Sequence, residues 1–68
     1  MPNNKIIIIS NGGKITHRIL VAEFRGVKAY SLGIGTIGNI EVFEAISEAR
    51  YNYIIAKARA NRALIYSE

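Results

Sequence analysis

NIEVFEAISEARYNYIIAKARANRALIY, residues 39–66, is the stretch on which the fold of this chain turns. Val42, Ile46, Ala49, Tyr53, Ala56, Ala60 and Ala63 recur at alternating spacings of four and three, the repeat of one helical face, with Leu64 beside them. Neither glycine nor proline interrupts the stretch, and Asn39, with Gly38 just before it, suits an N-cap. The spacing predicts one long amphipathic helix over 39–66. At 1.5 Å per residue, the part from Ile40 to Ile65 would run about 39 Å.

Upstream, the period shortens. Lys5-Ile6-Ile7-Ile8-Ile9-Ser10 is a β-branched run, and the Asn11-Gly12-Gly13 that follows favours a hairpin because both residue types tolerate positive φ. Residues Lys14 to Phe24 are again rich in branched and aromatic side chains. Arg25-Gly26 then makes a second turn before Val27-Lys28-Ala29-Tyr30-Ser31-Leu32. A competing reading puts Ile15, Ile19, Leu20 and Phe24 on one face of a short helix capped by Gly26. The expectation is an α+β chain, β-β-β-α, with a three-stranded antiparallel meander over 5–33 and the helix over 39–66, all in one domain spanning 1–68.

A chain of 68 residues without cysteine has no disulfide to staple it, and half its residues are hydrophobic. Strands of about six residues span roughly 20 Å, so the expected helix overhangs the sheet. Ile6 to Ile9 also places isoleucine on both faces of the first strand, whereas one helix covers one face. Both points lead to an expected homo-oligomer, most simply a two-fold dimer. Acids early in the helix (Glu41, Glu44, Glu48) and bases late fit either an antiparallel pair or the dipole of a single helix.

The net charge of +4 and pI near 9.8 favour nucleic acid or an acidic protein surface as partner. Arg50, Lys57, Arg59 and Arg62 are the candidate phosphate-pairing residues. Tyr51, Ile55 and Tyr66, on the side of the expected helix away from its apolar stripe, form a candidate protein-contact patch. Gly33-Ile34-Gly35-Thr36-Ile37-Gly38 has G-x-G-x-x-G spacing between an expected strand and helix, so Gly33, Gly35, Gly38 and Asn39 are a weaker candidate phosphate site. A dinucleotide fold would need another strand beyond the helix, and no Gly-Lys-Ser/Thr follows.

Catalytic signals are lacking. The sequence has no aspartate, one histidine (His17) and no serine in an elbow motif, so no enzyme, metal site or cofactor is expected. The four isoleucines are too short a run to cross a membrane, and a cytoplasmic location is the expectation. The leading functional expectation is a small, basic, non-enzymatic homodimer that binds nucleic acid. A protein-interaction factor and a binder of a small phosphorylated ligand are the alternatives.

Overall fold

The computed structural model describes residues 3–67. Its elements are β1 (Asn3–Asn11), β2 (Lys14–Phe24), β3 (Val27–Ile37), β4 (Ile40–Ile46), α1 (Glu48–Ala60) and β5 (Leu64–Ser67). All five strands join one antiparallel sheet in the order β4-β3-β2-β1-β5, with α1 on one face. The chain is therefore α+β, but the expected three-stranded meander with a long helix is replaced by five strands and a short one.

Three tight turns shape the meander. Gly12 and Gly13 have φ of 62° and 81°, and Arg25 and Gly26 have 53° and 79°. Two positive φ values in a two-residue loop twist the chain in the sense a hairpin needs. The third turn, Gly38-Asn39, joins Ile37 to Ile40, with positive φ (62°) at Gly38 alone. That turn overturns the helix expected from residue 39. Ile40, Val42, Phe43 and Ile46 are branched or aromatic, and they satisfy their backbone groups against β3 from Tyr30↔Ile46 to Ile37↔Ile40. The competing helix across 15–24 is absent too, since β2 occupies that segment.

The helix begins one residue after Ser47, whose hydroxyl accepts the Arg50 amide at 3.1 Å. It ends at Asn61. The Arg62 amide donates to the Arg59 carbonyl (3.0 Å) and the Ala63 amide to the Ala58 carbonyl (2.9 Å), the paired bonds of a Schellman end. Arg62 takes the left-handed position (φ 57°) where glycine is usual, so no residue type announces the stop. Ala63 and Leu64 then leave the helix and β5 pairs with β1, from Ser10↔Leu64 to Ile7↔Ser67. With 13 residues, α1 is about 20 Å long, so it does not overhang the sheet.

The core lies between α1 and the middle of the sheet. Ile7 and Ile9 of β1, Ile19 and Val21 of β2, and Ile54 and Ala58 of α1 are buried together, with Ile19 and Ile9 at 0% and 1% exposure. Tyr30, Leu32, Ile46, Tyr51, Ile55 and Ile65 pack around them. The buried side of α1 thus carries Tyr51, Ile54, Ile55 and Ala58, whereas Ala49, Tyr53, Ala56 and Ala60 of the expected stripe are exposed. Once the helix starts at Glu48, its phase is free of Val42 and Ile46. The larger side chains then win the sheet-facing positions because they remove more apolar area from water.

Two stability outcomes test these helix ends. Ser47→Ala should lower unfolding free energy by about 1 kcal/mol through loss of the cap. Arg62→Gly should raise it by about 0.5–1 kcal/mol, because glycine adopts the left-handed conformation without a Cβ clash. Denaturant midpoints at unchanged m-value would show both, and an Arg62→Gly protein less stable than the parent would contradict the assigned helix end.

Candidate functional site

One flank of α1, together with the β1–β2 hairpin, walls a cleft of about 320 Å³. The sheet supplies Ile9, Asn11, Thr16 and His17; the helix and its exit supply Arg50, Tyr53, Lys57, Asn61 and Ala63, over a floor that includes Ile54 and Ala58. Among the described residues, no acidic side chain lines it. Arg50, Tyr53 and Lys57 share one flank of the helix because they lie three and four positions apart. The cleft combines two cations, a histidine, two amides and two hydroxyls with an apolar floor, a composition suited to an anion that carries an organic group.

A β-bulge points His17 this way. The β1–β2 register steps from Ile9↔His17 to Ser10↔Ile15, leaving Thr16 as the extra residue. Thr16 Oγ1 donates to the Ile9 carbonyl oxygen at 3.2 Å and lies 3.0 Å from His17 Nδ1. A hydroxyl has one hydrogen, and here it goes to the carbonyl. His17 Nδ1 must therefore be the donor in the second bond, which leaves Nε2 with the lone pair in the neutral ring.

Tyr53 stands at the rim with 60% of its surface exposed. Lys57 Nζ is 3.5 Å from its hydroxyl and 5.7 Å from its ring centroid, so the ammonium sits off the hydroxyl end and does not cover the ring face. Tyr51 behaves otherwise. Its ring stacks on Tyr30 with centroids 4.3 Å apart and an interplanar angle of 20°, as part of the packing between helix and sheet.

Of the four candidate phosphate-pairing residues, the fold brings Arg50 and Lys57 together in the cleft; Arg59 and Arg62 are exposed outside its lining. Tyr51, Ile55 and Tyr66 form no common patch. Tyr51 and Ile55 are half-buried under α1, and Tyr66, opposite Ile8 in the β1–β5 ladder, points from the other face of the sheet. The error lies in the helix phase. Gly33, Gly35, Gly38 and Asn39 fall within the β3–β4 hairpin, so no helix N-terminus backs them. A Cβ on Gly33 would sit 3.2 Å from the Arg18 carbonyl oxygen and 3.3 Å from Glu41 Oε2. A side chain there would crowd the 2.7 Å Arg18–Glu41 ion pair by a few tenths of an ångström. His17 and Asn61 are cleft residues that sequence reading missed, because the bulge and the helix end that aim them leave no mark in residue type.

Among the described residues, no group of three histidine, cysteine or acidic side chains could hold a metal ion, and no helix is long and apolar enough to cross a membrane. No family model, curated protein or solved structure matches this chain.

The histidine geometry has its own test. Nitrogen-15 shifts of neutral His17 should report the Nδ1–H tautomer, and Thr16→Val should shift the population toward Nε2–H while costing about 1 kcal/mol of stability for the lost hydrogen bond. An Nε2–H ring in the parent protein would contradict the assigned donor.

Proposed function

We infer that this chain is a small non-enzymatic module that binds nucleic acid through its backbone, as a cytoplasmic homodimer. The observation that carries this reading is the cleft in which Arg50, Lys57 and His17 converge, with no acidic side chain lining it among the described residues. Paired cations release counterions when they meet phosphates, a driving force indifferent to sequence. Tyr53 favours single strands over duplex. Its exposed ring beside the cations offers the flat surface on which an unpaired base stacks, a contact that a base inside a duplex cannot make. Contacts to phosphates position a strand and carry no sequence information directly. Limited sequence preference is the consequence.

A labelled oligothymidylate titrated at several salt concentrations tests this. Binding should weaken linearly in log–log form, and Arg50→Ala with Lys57→Ala should flatten the slope by about 1.4, at about 0.7 per single-strand phosphate contact. Tyr53→Ala should cost about 1–3 kcal/mol of affinity without changing the slope. Arg59→Ala with Arg62→Ala should leave the slope near that of the parent. No binding at low salt, or an unchanged slope in the Arg50/Lys57 variant, would remove the reading.

A further inference from the structure

Strand alternation sends every second side chain to the sheet face that α1 does not touch. The apolar ones include Ile6 and Ile8 from β1, Leu20 and Phe24 from β2, Val27 and Ala29 from β3, Phe43 and Ala45 from β4, and Leu64 and Tyr66 from β5; the polar ones include Asn4, Ser10, Arg18, Ser31 and Glu41. An antiparallel sheet with one solvated face ordinarily alternates apolar inside with polar outside. This one carries large apolar side chains on both. Phe24, Val27, Leu64 and Tyr66 are between 48% and 71% exposed, and no element among the described residues lies over them. We propose that this face is the seat of a second copy of the chain, with two sheets packed face to face about a two-fold axis.

Area, charge and shape select that occupant. A compact 7.5 kDa monomer has about 4,200 Å² of accessible surface by the usual scaling with mass, whereas this chain exposes 5179 Å². The excess of roughly 900 Å² is close to the ~800 Å² per partner that a standard interface buries. The shape agrees, because a slab of 35 × 30 × 19 Å presents a broad face of up to about 1,000 Å² in projection, enough to bury that area.

The charge is distributed to permit self-association. Despite a net +4, the charges that the described residues place on the body of this face are Arg18 and Glu41, an opposite pair joined at 2.7 Å. Arg25 stands at one corner, 5.1 Å above the Phe24 ring. Lys5, Lys28, Arg50 and Lys57 all belong to the helix side. Two identical faces can therefore meet without like-charge repulsion, whereas an acidic partner would find no cations on this face to pair with. In the resulting four-layer particle, helix-sheet-sheet-helix, inner faces pack about 10 Å apart. Both basic clefts then open on opposite outer surfaces, so each chain carries its own strand. The proposal builds on the dimeric part of the reading above and is independent of its nucleic-acid part.

Sedimentation equilibrium of the full chain at high salt, where bridging by nucleic acid is screened, should return twice the 7.5 kDa chain mass. Val27→Lys with Ala45→Lys, two exposed positions of the face, should give the single-chain mass with amide-exchange protection of β1 retained. Ile40→Lys, an equally exposed change on the helix side of β4, should remain dimeric. A parent protein of single-chain mass at high concentration, with or without a co-purified protein, would overturn the proposal. So would a dimeric Val27/Ala45 variant or a monomeric Ile40 variant. If the double variant does not fold, isotope-filtered NOEs in a mixed-label parent sample decide: contacts between copies at Leu20 and Phe43 support the face, and their absence overturns it. Nucleic-acid affinity enters none of these readouts, so failure of the dimer and failure of the binding reading register separately.

Discussion

The run Ile6 to Ile9 imposes the constraint from which the other features follow, because four consecutive branched side chains in an extended strand must put two on each side. Such a strand is stable only at the interior of a sheet with apolar material on both faces. The chain meets half of that demand itself. β2 and β5 flank β1 on its two edges, and α1 lays Ile54 and Ala58 over Ile7 and Ile9. Ile8, on the other face, reaches 2% exposure between Arg18 and Tyr66, its partners across the two ladders. The sheet is about as wide as four strand spacings, roughly 19 Å, while one helix is about 10 Å across. A single 13-residue helix cannot cover even its own side completely, and Ile37 and Ile40 remain exposed beyond it.

Where turn chemistry is explicit, the sequence was legible. Asn11-Gly12-Gly13 and Arg25-Gly26 bound three segments whose branched and aromatic content reads as strand, and the structure places strands there. Residues 39–66 were not legible in the same way, because two periods overlap. Val42 and Ile46 are four apart, which suits a helical face, and an even number apart, which suits one face of a strand. The alanines that follow extend the first pattern by chance of phase. Ser47-Glu48, a good N-cap with an acid in the first turn, was a local signal for the true start. The true end had no such signal, since Arg62 occupies a position where glycine would have announced it.

The cleft was half legible for the same reason. Arg50 and Lys57 are seven apart and share a flank in any helix that contains both, so their proximity survives the wrong boundaries. Arg59 and Arg62 do not. One lies on the other flank, and the other is past the helix end. His17 could not be assigned a role from sequence, because a bulge shifts facing parity by one and Thr16 gives no warning of it. The misplacement of Tyr51, Ile55 and Tyr66 as one patch follows from running the helix through residues that belong to β5.

The observed fold changes what favours a dimer. A helix too long for its sheet was one basis, and it disappears with a helix of about 20 Å. The other basis, isoleucine on both faces of β1, grows from one strand to five once β4 and β5 are placed, since Phe43, Ala45, Leu64 and Tyr66 extend the same uncovered surface. The two proposals also constrain each other in space. If the apolar face were the nucleic-acid surface, cations would have to lie on it, but Arg18 is already joined to Glu41 there. The sheet therefore separates the two proposed surfaces by face: the proposed phosphate-pairing residues Arg50 and Lys57 belong to the side carrying α1, and the proposed self-contact face is the side without it. A basic protein can self-associate at modest electrostatic cost only if its charges are segregated in this way, because like charges across a desolvated interface repel most strongly where water is excluded.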